Sequence, residues 1–188
     1  MQKTLTSYPP HTLETAPPAS REPLQQLKAS VGFIPNLAAA MSESPALLRG
    51  FLAVRDIYQS GSFTPAEIQV LSLTAAYEND CGWCMAFHSL MAKKEGVAQP
   101  SLDALRAGQA PLEPKLGALS DFARKMVRER GAVSETDLQR MAAAGYSKAQ
   151  ALEVVLGMAF SLMANYAGHL ADAPLDAPFV PHAWKRPA

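Results

Sequence analysis

FTPAEIQVLSLTAAYENDCGWCMAFHSLMAKKEG, residues 63–96, settles the fold class of this chain. Thr64, Pro65 and Glu67 form a T-x-x-E capping box with proline at the first helical position, which marks a helix start. Ile68, Leu71 and Ala75 then recur at helical spacing, and Val70 and Leu73 widen the apolar face. Asn79 and Asp80 are both good N-cap residues, so one helix breaks there. A second runs over 81–96, with Lys93 and Lys94 in its last turn and Gly96 as its stop.

The same punctuation continues in both directions. Ser44, Pro45 and Gly61 bound a helix over 45–61. Leu116, Leu119, Phe122 and Met126 predict another within 113–131, Ser134 caps a short one over 134–145, and Ser147 with Gln150 opens a long one over 148–170. No segment alternates apolar and polar residues as a half-buried strand does. The prediction is an all-α, single-domain bundle of roughly seven or eight helices around one core. It occupies residues 21–170, between a Pro-rich N-terminal arm (1–20) and an extended, Pro-rich C-terminal tail (171–188).

Composition agrees with one well-buried domain: 188 residues, 48% of them hydrophobic and 18% charged. The 17 basic and 17 acidic residues cancel, and no basic stripe interleaved with aromatics occurs, so nucleic acid is not an expected partner. The most apolar stretch, 151–170, is interrupted by Glu153, Asn165 and His169 and reads as a buried core helix rather than a membrane span. The first twenty residues lack the apolar core of a signal peptide, so the expected location is the reducing cytoplasm and no membrane partner is expected. In that compartment a CxxC pair is more often redox-active or metal-binding than a permanent staple.

Both cysteines of the chain, Cys81 and Cys84, lie in such a pair, and His88 follows four residues after the second. On a helix the three side chains fall within an arc of roughly 60° and share one face. A helix N-terminus favours a thiolate on Cys84, His88 one turn on can take the thiol proton, and Cys81 is in range to form a disulfide. That is the layout of a redox dithiol. Two other readings compete with it. The cysteines could be small buried hydrophobes, or they could bind zinc with His88 and a distant ligand such as His169, although three ligands crowded on one turn suit a tetrahedral site poorly.

The TPAE-I helix start, ENDCGWCMAFHS (78–89) and NYAGHLADAPLD (165–176) together resemble the AhpD-like (alkylhydroperoxidase D) branch of the carboxymuconolactone decarboxylase superfamily, over roughly residues 30–180. The resemblance implies an all-α, homo-oligomeric protein and a thiol-dependent peroxidase. It implies Cys84 as the peroxide-attacking cysteine, Cys81 as the resolving one, and His88 as the histidine that activates the thiol. Two positions depart from the family pattern. The family's relay glutamate is Gln69 here, twelve residues before Cys81, and a histidine between the cysteines is Trp83.

Glu78, three residues before Cys81, is the expected substitute in the proton relay, partnered by His88 or the thiols. Glu67 is explained by its capping box. Trp83 reads as a lid or packing residue over the thiols, and Asn165, Tyr166 and His169 as residues that reach the site, line an interface or serve the core. The many methionines read as core filler, and His11 and His182 fall in the terminal arms. The expected partners are a hydroperoxide substrate and a thiol or dithiol reductant, and the chemistry needs no metal or organic cofactor. Disulfide exchange with a protein partner, decarboxylation of the muconolactone type, and a non-catalytic helical assembly or metal-binding module are the alternatives.

Overall fold

The computed structural model describes residues 7–187. Among these, nine α-helices follow in order: α1 (Pro18–Val31), α2 (Asn36–Met41), α3 (Pro45–Gln59), α4 (Pro65–Glu78), α5 (Gly82–Lys94), α6 (Gln99–Arg106), α7 (Pro114–Arg128), α8 (Glu135–Ala143) and α9 (Lys148–Ala171). A 3₁₀ helix, Ala177–His182, closes the chain, and the described residues include no strand. The all-α expectation holds.

Helix α4 is the axis of the bundle. Val70, Leu71, Leu73, Ala75 and Ala76 are all buried, so α4 is apolar around its circumference and packs against α5, α6, α7 and α9. Its capping box is formed as predicted: Thr64 Oγ1 accepts from Glu67 N–H while the Glu67 carboxylate accepts from Thr64 N–H at 2.9 Å. Glu67 also meets Lys115 at 3.1 Å, which completes a structural role.

The break between α4 and α5 differs in detail from the reading above. Asp80, at φ +55°, takes the left-handed conformation that ends α4, and Cys81 N–H closes the turn on Ala76 O at 2.9 Å. The N-cap of α5 is therefore Cys81 itself, in extended backbone, rather than Asn79 or Asp80.

Helices α1, α2 and α6 have no counterpart in the sequence reading. Helix α1 starts inside the segment assigned to the N-terminal arm. Its Pro18 stands at the first helical position, where a missing N–H costs nothing, but Pro23 lies inside the helix and disguises the pattern. Helix α6 ends at Gly108, whose φ is +74° and whose missing Cβ would stand 2.1 Å from the Tyr77 ring. Glycine is required there twice over.

The terminal segments also depart from expectation. The tail is not extended: its 3₁₀ helix packs on α5 with Phe179 buried. Proline fixes φ near the 3₁₀ value, and Phe179 and Trp184 supply apolar surface that an extended tail would leave in water. Arg106 donates to His182 O and Ala183 O, both at 3.1 Å, and Trp184 Nε1–H donates to Arg106 O at 2.8 Å. At the other end, His11 is buried, 2.7 Å from Glu43 Oε2.

Helix α9 is long and apolar enough to cross a membrane by length and composition. One side of it, with Val154, Phe160 and Ala164, is buried as expected of a core helix. The other side leaves Leu152, Val155, Leu162, Tyr166 and Leu170 exposed.

Candidate active site

Because Cys81 is the N-cap, its sulfur sits where the helix presents unpaired N–H groups, and Cys84 N–H donates to Cys81 Sγ at 3.3 Å. This corrects the sequence reading, which placed the thiolate-favouring position at Cys84. The Cys84 thiol hydrogen-bonds to Cys81 and holds the Cys81 sulfur below the usual thiol range, against the opposing effect of burial. Burial pushes the Cys84 thiol well up, and charge on Cys81 adds to that shift. Of the two thiols, Cys81 is therefore the first to ionise.

Helix α9 closes over Cys81. A Cβ on Gly168 would lie 3.3 Å from Cys81 Sγ, so glycine lets the two helices approach. Asn165 hydrogen-bonds toward both thiols, and His169 adds a favourable charge interaction with Cys81. Both residues are fixed by Asn79: Asn165 Oδ1 accepts from Asn79 Nδ2–H at 2.9 Å, and His169 Nε2–H donates to Asn79 O at 2.6 Å. Asn165 and His169 therefore reach the dithiol. Tyr166 points away, into a surface groove with Tyr8 and Met41. No group of three or more metal-ligating side chains occurs among the described residues.

One turn beyond Cys84, His88 is buried and its Nδ1–H donates to Gln69 Oε1 at 2.8 Å. A carbonyl oxygen can only accept, so this bond fixes the proton on Nδ1 and leaves Nε2 with a free lone pair. Burial lowers the imidazole pKa to about 3, so His88 is neutral at physiological pH. Gln69 thus orients the His88 ring.

Glu78 is not the substitute relay in this geometry. Its side chain is buried, but its oxygens accept from Arg124 Nε at 3.1 Å and from Arg128 Nε at 2.7 Å. The carboxylate needs a partner at the C-terminal end of α4 because the helix dipole disfavours it there. The partner is a pair of arginines on α7 rather than His88 or a thiol. Sequence spacing could not show this, since Arg124 and Arg128 lie almost fifty residues away.

Cys84 and His88 line a cavity of about 550 Å³; Cys81 is set behind it. Phe51 and Phe160 stack at 4.8 Å on one side. Opposite them, Trp83 stacks on Phe87 at 5.5 Å and Phe179 meets both rings edge-on. Trp83 Nε1–H donates to Asp176 Oδ2 at 3.2 Å, and the same carboxylate accepts Asn36 N–H. Of the two roles expected of Trp83, lid or packing residue, this pinning fits the second. Phe179 was missed as a site residue; the signal was an apolar ring in a Pro-rich tail.

The chain matches the model of the carboxymuconolactone decarboxylase family over residues 45–125, which contain α3 to α6, the CxxC pair and His88. Among solved structures it is similar to an alkylhydroperoxidase AhpD core protein from Ralstonia eutropha JMP134, itself an uncharacterised peroxidase-related protein. The two share 21% identity and a TM-score of 0.82, over 94% of this chain and 95% of that one. A peroxidase-related protein from Silicibacter sp. TM1040 follows at 17% identity and a TM-score of 0.76, over 95% and 96% of the two chains. The debrominase Bmp8, solved as a cysteine-to-alanine variant with 2,3,4-tribromopyrrole, shares 17% identity and a TM-score of 0.73 over 96% of each chain. None of the curated proteins matches the chain. The family model covers less than half of this chain, and the likeness to the solved structures is one of fold, which is AhpD-like.

Proposed function

We propose that this protein is a thiol-dependent peroxidase that uses Cys84 and Cys81 as a redox dithiol. The observation that carries the reading is the joint placement of Cys84 and a neutral, oriented His88 on one wall of an apolar cavity, with Cys81 behind them at the helix N-terminus. Cys84 sulfur attacks one oxygen of a hydroperoxide, and His88 Nε2 hands the thiol proton on in the same step, so no buried imidazolium accumulates. The O–O bond breaks, the proton returns to the departing alkoxide, and the products are an alcohol and a sulfenic acid on Cys84. Cys81 then attacks the sulfenic sulfur, water leaves, and a disulfide forms. A dithiol reductant restores the pair, its sulfur bonding to Cys84 as Cys81 departs.

The burial of both thiols favours small substrates over a protein disulfide, because a folded partner cannot present its sulfur inside an aromatic cavity. Glu78 has no step in this scheme. A reducing compartment suits the cycle, in keeping with the expected cytoplasmic location.

The test is intact mass of the reduced protein before and after one equivalent of cumene hydroperoxide. Loss of about 2 Da, abolished in Cys84→Ser, is the expected result. Unchanged mass, with both thiols resistant to alkylation at neutral pH, would overturn the scheme.

A further inference from the structure

The cavity offers far more than a peroxide group needs. It is lined mainly by aromatic and aliphatic side chains, and its inner wall holds the buried Cys84 and His88. The remaining ionisable residues of the lining are Arg55 and Lys94, and no acid is among them. That bias is local, since acidic and basic residues balance over the whole chain. Lys94 is exposed and Arg55 partly so, which places both on the solvent side of the cavity. Arg55 pairs at 2.7 Å with Asp56, outside the lining, while Lys94 has no ion pair among the described residues. Buried redox groups, an aromatic lining and two cations that reach solvent thus belong to one cavity.

We propose that the cavity selects an elongated apolar substrate with one anionic headgroup, a fatty-acid-type hydroperoxide, with its chain along the aromatic wall and its carboxylate at Lys94 and Arg55. The inference rests on the peroxidase reading for the reaction, but ligand selection itself is independent of turnover. An apolar chain gains from burial in proportion to its length, and a cavity of this volume is within the range that takes small molecules. The carboxylate stays at the hydrated mouth, so it meets the cations without being desolvated. Hydrogen peroxide uses neither feature.

The test is equilibrium binding to the reduced protein of octanoate, decanoate and 1-decanol, read by quenching of the cavity-lining Trp83. Decanoate is expected to bind on the order of tenfold more tightly than octanoate, from two more buried methylenes. Lys94→Glu is expected to weaken decanoate about fivefold and leave 1-decanol unchanged; Lys94 is exposed, so the variant folds. Affinity blind to chain length, or an equal effect of Lys94→Glu on acid and alcohol, overturns the proposal. Cumene hydroperoxide turnover is followed in parallel. Binding with the expected preferences but no turnover refutes the peroxidase reading alone; turnover without decanoate binding refutes this one alone.

Discussion

Replacing His88 by glutamine should change the acid stability of the protein in a way that only a buried neutral imidazole explains. The folded pKa of His88 is about 3, against 6.5 for the free side chain, because burial disfavours the cation. Between those values the unfolded chain binds a proton that the folded chain does not. The stability tied to the neutral ring is therefore present above pH 6.5 and is lost as pH falls toward 3. One proton is worth about 1.4 kcal/mol per pH unit, so wild type should lose about 3 kcal/mol from this group between pH 7.5 and pH 4.5. Urea unfolding of wild type and His88→Gln across that range is the assay. The other histidines and the carboxylates titrate in both proteins and cancel in the difference. The variant is less stable at pH 7.5, because it leaves space and alters the bond to Gln69, but the gap should close by about 3 kcal/mol on acidification. Parallel stability curves would show that His88 is solvated or protonated in the folded state, and would remove the reason for a free Nε2 in the dithiol chemistry.

Other substitutions separate structural from chemical roles. Glu78→Gln leaves the guanidinium groups of Arg124 and Arg128 without their carboxylate and should cost about 3 kcal/mol by urea unfolding. Peroxide turnover per folded molecule should be unchanged; a large loss would restore Glu78 to the proton relay. Gly108→Ala forces a side chain into the left-handed region and into the Tyr77 ring, so a loss of about 3 kcal/mol or more is expected in the same measurement. Gln69→Glu puts a carboxylate beside His88 Nδ1–H, which should raise the His88 pKa, seen as a shift of its imidazole resonances in an NMR titration, and speed peroxide turnover. An unmoved pKa would show that Gln69 does not control the imidazole.

What was legible in the sequence is what local rules encode. The capping boxes at Thr64 and Ser147, the Ser134 cap, and the prolines that open α3 and α4 fix where those helices begin, and all are formed. The CxxC–His spacing likewise puts Cys84 and His88 one turn apart on α5, with Cys81 at its cap rather than on the helical face. The rest depends on contacts distant in sequence. Glu78 was judged against its neighbours, whereas its partners lie on α7. The tail was judged by its prolines, whereas Phe179 folds it over α5 to meet Trp83 and Phe87. A shift of one cap position, from Asp80 to Cys81, moved the helix-terminus stabilisation from one sulfur to the other.

That shift makes the two cysteines chemically unequal, and the inequality fits a division of labour. A thiol that is attacked must be reached, and a thiol that leaves must be stable as an anion. Cys84 faces the cavity, so in the proposed cycle peroxide oxygen or reductant sulfur reaches it first. Cys81 is shielded by α9 but holds negative charge readily, through the thiol and amide of Cys84 and through Asn165 and His169. In thiol–disulfide exchange a leaving sulfur of lower pKa departs faster. Reduction of a Cys84–Cys81 disulfide by attack at Cys84 therefore expels the sulfur best able to leave. The same low pKa makes Cys81 a ready nucleophile when the sulfenic acid forms on its neighbour. With the opposite placement, Cys81 in the cavity and Cys84 behind, the stabilised thiolate would meet the peroxide first. Each reduction would then have to expel a deeply buried, high-pKa thiolate. In the proposed cycle that slow step is avoided, because the anion-holding sulfur is at the helix cap and the reactive contact one turn along.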